Sequence, residues 1–292
     1  MTKKKKSSPG KKMKNPATKV KRSLATELFL GFLGCVALFY ILIIVYHYST
    51  PMQRAEATEP DWLEQCRLFC AEYGLVSTGD IKKDAEAYLE VTNRETLSVS
   101  LNEILSDSQF EKAETQQHPF LHRQGADFTL PDVEGQAVSL ESFRLKKPVI
   151  LVFYYGYYCS HCVAQLFALE KDLAYFHEMG AEVIAISADS SESTQEKFAK
   201  YGSFSFPVLS DHDYRISEAW GLYTRPSQEQ AEDLLHGTFV INQAGEVVFA
   251  NRGHQPFVDN KSLLHWLAEL KRESATKVAD TSGDAALQRR RD

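Results

Sequence analysis

The first 22 residues contain no Asp or Glu, residues 28–46 carry no charge of either sign, and no second closely spaced cysteine pair follows the tetrad Cys159-Ser160-His161-Cys162. Each absence excludes something. The tail holds ten Lys or Arg, so the net charge of −6 divides into +10 for the tail and −16 for the remainder, and the two parts face different surroundings. So acidic a main body argues against nucleic-acid binding. The uncharged stretch is nineteen mostly apolar residues. As a helix it spans about 28 Å, close to the hydrocarbon thickness of a bilayer, and it reads as a transmembrane helix. Without a second cysteine pair, zinc at the tetrad lacks two ligands. Only Cys66 and Cys70, far upstream, are available to supply them.

The basic residues before the span place that end in the cytoplasm by the positive-inside rule, and everything after His47 on the far side. Ala55-Glu56-Ala57 resembles a signal-peptide cleavage site. The apolar stretch is long for such a peptide, however, and polar residues separate it from the triplet, so an uncleaved anchor is the expectation. Beside a span, the lysine run acts as an orientation signal rather than a nucleic-acid arm. Of the five cysteines Cys35 falls inside the span, leaving four in the exported part, where disulfides persist.

The tetrad follows the apolar, aromatic run Val149-Ile150-Leu151-Val152-Phe153-Tyr154-Tyr155-Gly156-Tyr157-Tyr158 and precedes a segment of helical periodicity. A buried strand ending at a paired-cysteine turn that opens a helix is the layout of a dithiol redox site. Two cysteines three apart at a helix start stand about one turn from each other, within reach of a disulfide. Unpaired backbone N–H groups and the positive end of the helix dipole favour a thiolate on the first, Cys159, which makes it the nucleophile and Cys162 its resolving partner. His161 adds to that effect if protonated or if it donates to sulfur, and makes the pair more oxidising. Zinc half-sites and structural disulfides share the spacing; the preceding strand favours redox chemistry. Such chemistry needs no cofactor and no metal.

Along the chain the expected order is a basic cytoplasmic tail at 1–23, a transmembrane helix at 24–47, a spacer at 48–60, a helical hairpin at 61–91, a linker at 92–124, the main domain at 125–271 and a disordered polar tail at 272–292. Cys66 and Cys70 stand at i and i+4 on the first helix of the hairpin and share a face. They are either two small core residues or a second dithiol or soft-metal pair that exchanges with Cys159 and Cys162. In the main domain, residues 126–131 with 132–140 read as two short strands across a turn at Gly135. Strands at 149–154 and 182–187 alternate with helices at 163–179 and 193–201, and a short helix at 214–220 leads to a hairpin about Gly245 and a closing helix at 259–271. That alternation gives an α/β fold, a sandwich with a central mixed sheet.

Asp127-Phe128-Thr129-Leu130, the strand into Cys159-Ser160-His161-Cys162, Phe206-Pro207-Val208-Leu209-Ser210-Asp211 and Thr238-Phe239-Val240-Ile241-Asn242 resemble the thioredoxin-fold redoxins of the alkyl hydroperoxide reductase and thiol-specific antioxidant branch. The resemblance implies a thioredoxin-like fold over about half the chain. Two registers compete within it. As a thioredoxin, Cys159 attacks and Cys162 resolves. As a peroxiredoxin, Cys162 takes the peroxidatic position and Cys159 stands where that family carries threonine. The peroxiredoxin proline is replaced by Tyr155, and His236 stands at the peroxiredoxin arginine, near the thioredoxin cis-proline. The missing cation counts against peroxide reduction, which needs donors to polarise the O–O bond. Membrane-anchored Sco-type copper chaperones look similar in plan, and that resemblance assigns Cys159, Cys162 and His236 to a soft-metal site. A lone histidine such as His236 is otherwise a surface or capping residue. Tyr154, Tyr155, Tyr157 and Tyr158 suggest an aromatic wall beside the dithiol, with half of them in the core by alternation.

The expectation is therefore a single-pass membrane protein whose extracytoplasmic thioredoxin-like domain exchanges disulfides with protein thiols or a thioredoxin-like electron donor. Cys159, Cys162 and His161 form its site, with His236 and Tyr158 as accessory candidates. Thiol peroxidation at Cys162 and copper delivery are the alternatives.

Overall fold

Twenty-six residues without a proline form helix α1 (Leu24–Ser49). In this computed structural model the described residues are 24–49, 68, 71–72, 74–75, 78–92 and 96–288. They fall into two units, Met1–Thr58 and Glu59–Asp292. The described side chains of α1, at 28–29 and 31–43, are all exposed, Leu28, Phe32, Leu38 and Phe39 among them. Among the described residues no helix is long and apolar enough to cross a membrane. The basic tail at 1–23, residues 50–60 of the spacer, and both Cys66 and Cys70 lie outside the described residues.

In the second unit the later helix of the expected hairpin is α2 (Ile81–Val91), whose N-cap Asp80 accepts from the Lys82 and Lys83 amides. The stretch at 92–124 is not the linker that its lack of period suggested. It holds helix α3 (Leu101–Ser106), started by a reciprocal capping box between Ser100 and Glu103. Leu97, Leu101 and Ile104 are buried in the main core, and Gln116 N–H donates to Ala250 O at 2.8 Å. Six helical residues are too few to show a period, but the box itself is legible as Ser-x-x-Glu.

Strands β1 (Thr129–Pro131) and β2 (Ala137–Ser139) pair antiparallel across Gly135, whose φ of +80° suits glycine. A 3-10 turn at Leu140–Phe143 leads to β3 (Val149–Phe153), helix α4 (Ser160–Glu178), β4 (Glu182–Ser187), α5 (Ser191–Tyr201), β5 (Val208–Ser210) and α6 (Arg215–Ala219). A two-stranded ribbon, β6 (Tyr223–Thr224) and β7 (Asp233–Leu234), precedes the hairpin β8 (His236–Ile241) and β9 (Val247–Gly253) and the closing helix α7 (Asn260–Gln288). The five-stranded sheet runs β5-β4-β3-β8-β9, parallel from β5 to β3 and antiparallel from β3 to β9. This is the expected thioredoxin-like α/β fold with a mixed sheet.

β3 shows why the sheet is covered on both faces: all five residues are apolar and all are buried. Ile150 and Val152 join one core with Val163, Leu166, Leu169 and Phe176 of α4 and Leu263, Leu264 and Leu267 of α7. Val149, Leu151 and Phe153 point the other way, into a core with Leu130, Trp220, Phe239 and Ile241. Each such aliphatic side chain, fully buried, stabilises the fold by about 1.5–3 kcal/mol. The tail expected to be disordered from residue 272 instead continues α7 to Gln288, with residues 271–276 exposed. Alanine stands there at 275, 279, 285 and 286 and no proline interrupts, so nothing in the sequence stops the helix at residue 272.

Candidate active site

Where β3 ends, the chain must leave the sheet and turn into α4 within six residues, and it does so through Gly156 at φ +127°. A Cβ at Gly156 would lie 2.8 Å from Asp189 Oδ1 and from the Tyr158 ring. Asp189 sits in the loop after β4 and accepts the Tyr157 amide at 2.8 Å, tying the two loops together; burial raises its carboxyl above the usual range. Of the four tyrosines, Tyr154, Tyr155 and Tyr157 are buried, more than the expected half, and only Tyr158 reaches the surface, at 48% exposure.

Cys159 is the N-cap of α4, with extended backbone and no side-chain capping bond, and Cys162 is its third helical residue. Cys159 Sγ lies 3.1 Å from His161 Nδ1. The ligand atoms of Cys159, His161 and Cys162 all fall within 4.8 Å of one another. The N-terminal amides of α4 face this end and favour a thiolate there. The site is closed: Cys159 is 5% exposed, His161 1% and Cys162 0%. Tyr155, Tyr223 and Leu234 pack with the two cysteines as one apolar cluster, against which Tyr214 stacks through Tyr223, ring centroids 4.2 Å apart. The β6–β7 ribbon thus forms one wall over the dithiol. Tyr88 of α2 forms another, its ring 5.4 Å from that of His161.

His236 is neither a surface nor a capping residue. It is 1% exposed, stacked on Tyr155 at 4.2 Å between centroids, and 6.3 Å from His161. Neither ring nitrogen has a hydrogen-bond partner among the described residues, although the Phe153 backbone lies close enough to offset some of the cost of charging the ring. Burial first, and then His161, push its pKa down to about 3, so the ring is neutral in the fold. Two features hold it there. Gln165 Nε2 of α4 donates to Thr238 Oγ1 at 2.7 Å, and Gly237 pairs with Phe153. A Cβ at Gly237 would lie 2.6 Å from Leu222 Cδ1 and 2.8 Å from Phe239, so glycine lets β8 run past the site.

The structure therefore gathers Cys159, Cys162, His161, His236 and, at its rim, Tyr158. The third donor beside the two sulfurs is His161; His236 does not belong to that group, contrary to the copper-site expectation. Sequence reasoning missed Tyr88, Tyr214, Tyr223, Leu234 and Gln165. No local signal marks the first four, which come to the dithiol through tertiary packing; Gln165 lies one turn past Cys162 on α4, and only its bond to Thr238 of β8 reveals its part.

The AhpC/TSA family matches residues 121–250. The chain is similar to the thiol-disulfide oxidoreductase ResA of Halalkalibacterium halodurans, 28% identical over 44% of this chain and 67% of that one. It is also similar to the chloroplastic peroxiredoxin Q of Sedum lineare, 35% identical over 49% of this chain and 75% of that one. Among solved structures, the peroxidoxin BcpB from Mycobacterium tuberculosis superposes at a TM-score of 0.45 with 26% identity, over 53% of this chain and 98% of that one.

Proposed function

Because the chain belongs to the AhpC/TSA family of thiol redox enzymes, we propose that it is a membrane-anchored thiol-disulfide oxidoreductase. In this reading residues 28–46 cross the bilayer and Cys159 and Cys162 work on its extracytoplasmic side. The observation that carries the chemistry is Cys159 at the N-cap of α4, with His161 Nδ1 at 3.1 Å and a second sulfur one turn on. The relative named as a thiol-disulfide oxidoreductase supports it. The anchoring rests on the uncharged nineteen-residue run and the ten basic residues before it.

Cys159 thiolate attacks one sulfur of a substrate disulfide, forming a mixed disulfide and releasing the other sulfur as thiolate. Cys162 thiolate then attacks Cys159 Sγ, closing the Cys159–Cys162 disulfide and expelling the second substrate sulfur. Two electrons pass to the substrate, whose thiolates take up the two protons that the dithiol gives up. His161, in contact with Cys159 Sγ, is placed to take the first of them and to hold the thiolate in position. Run backwards, the same steps oxidise a substrate dithiol. Electrons are supplied or drained by protein thiols or a thioredoxin-like donor, and no cofactor takes part.

A second reading, thiol peroxidation at Cys162, is favoured by the peroxiredoxin relatives. Cys162 has no exposed surface, and His236, neutral and buried, stands in place of a cation. A trapping experiment separates the two. With Cys162→Ser, a disulfide-bonded substrate is expected to stay linked to Cys159. Rapid sulfenic acid on Cys162 of the unmodified protein, with no trapped mixed disulfide, would overturn disulfide exchange. Protease protection of residues after 47 in sealed vesicles of known orientation tests the anchoring.

A further inference from the structure

Two features of the site exceed what disulfide exchange requires. Exchange needs two sulfurs and one proton acceptor. Here His161 presents a ring nitrogen to both cysteines, with all three ligand atoms within 4.8 Å, each residue at least nine-tenths buried, and no Asp or Glu in the group among the described residues. Beside it lies His236, an imidazole 1% exposed with both nitrogens lacking a hydrogen-bond partner among the described residues. Buried polar atoms in folded proteins are almost always satisfied, and an orphaned pair at a cluster of donors marks a place where a ligand belongs.

The donor set specifies the ligand. Two thiolates and an imidazole, with no carboxylate, select thiophilic cations over magnesium, calcium or manganese. The pocket walls are Tyr155, Tyr223 and Leu234, where a complex of low net charge is favoured. Two thiolates neutralise a divalent ion and leave a monovalent one with a single negative charge. We propose that the reduced protein binds one thiophilic d10 metal ion, Zn(II) or Cu(I), through Cys159 Sγ, Cys162 Sγ and a ring nitrogen of His161, and releases it when the two cysteines form a disulfide. His236, its ring centred 6.3 Å from that of His161, is the candidate fourth donor, which matters for Zn(II), a four-coordinate ion, more than for Cu(I).

Binding displaces the proton from each thiol, so up to two protons leave as the ion enters. Release follows from the electron count. Forming the Cys159–Cys162 bond gives two electrons to a substrate disulfide, which becomes two thiols, and removes both thiolate ligands while the metal ion keeps its charge. Dithiol redox state and metal occupancy are then exclusive alternatives. The release half rests on the proposed exchange reaction; the binding half does not.

The test uses the full-length protein in mild detergent, reduced under anaerobic conditions and titrated separately with Zn(II) and with Cu(I) against a chromophoric chelator of each. One equivalent is expected for the reduced protein and none after oxidation with diamide. His161→Gln, which keeps a buried polar side chain of similar length, is expected to weaken both ions roughly 100-fold, and His236→Phe, which keeps the stack on Tyr155, to weaken Zn(II) about tenfold with Cu(I) little changed. Circular dichroism confirms that each variant folds, and Cys162→Ser gives a second ligand deletion with the same expectation as His161→Gln. No binding by the reduced protein, equal binding by the oxidised protein, or full affinity in both His161→Gln and Cys162→Ser overturns the proposal. Disulfide reductase activity in excess chelator is measured in parallel. Activity without binding sinks the metal site alone, and binding without activity sinks the exchange reading alone.

Discussion

The molecule contains two successive strand-to-helix crossovers built on one plan and finished with different atoms. β3 leads through a loop to α4, and β4 leads through a loop to α5, each into a parallel neighbour of the same sheet. At α5 the N-cap is Ser190, whose Oγ accepts the Ser193 amide at 3.2 Å. At α4 the N-cap is Cys159, with the same extended backbone and no capping bond from its side chain. Oxygen at that position satisfies a backbone amide and adds stability. Sulfur forgoes that bond and leaves the amides to favour a thiolate, so one crossover is finished for the fold and the other, in the proposed exchange reaction, for chemistry. The loops are joined, since Asp189 from the second accepts the Tyr157 amide of the first.

The largest effect is expected from exchanging the cap itself. Cys159→Ser should abolish disulfide exchange in an insulin-type reduction assay while leaving the melting temperature unchanged or raised, since serine caps α4 as Ser190 caps α5; unchanged activity would sink the assigned nucleophile. Next is pH. The folded protein holds His236 neutral with its pKa near 3, below the usual 6.5, so an unfolded chain takes up a proton that the folded one refuses. That stabilisation is complete above about pH 6.5 and is lost as pH falls toward 3, on the order of 3 kcal/mol between pH 6.5 and pH 4. His236→Phe should flatten this part of the pH profile in urea unfolding, and an unaltered profile would place the acid sensitivity elsewhere.

Gly156→Ala probes the link between the loops. It places a Cβ 2.8 Å from Asp189 at a φ of +127°, and is expected to cost about 1–3 kcal/mol and to lower exchange activity by shifting the start of α4. An alanine variant of full stability and activity would show that the loops are not coupled. The smallest effect is Ser190→Ala, at about 1 kcal/mol of stability with activity retained. If it impaired exchange as much as stability, the division of labour between the crossovers would be wrong.

Much of this is legible in the amino-acid order. The β3 run, the glycine stops at Gly180 and Gly202 and the β8–β9 hairpin lie where apolar pattern and turn residues put them, within a few residues. Helix α3 was missed because two turns carry too little periodicity, though its Ser100–Glu103 box was in view. The closing helix was cut short because its last turns have no apolar face to announce them. Around the site, the tetrad and its helix were readable, and the closure over them was not. Tyr88 comes from α2, Tyr223 and Leu234 from the β6–β7 ribbon, each separated from Cys159 by dozens of residues with no shared motif.

By itself the amino-acid order determined that a dithiol would stand at the start of a helix behind a buried strand, because spacing, helix polarity and hydrophobic pattern act within a few residues of one another. Only the tertiary structure decided that His161 and not His236 shares space with both sulfurs, that His236 is a neutral, buried ring, and that the pair is sealed by aromatic walls. Those outcomes depend on the pairing of Gly237 with Phe153 and on the docking of α2 and the β6–β7 ribbon over α4. Such long-range packing is set by the summed burial of the whole core, to which no local pattern gives a key.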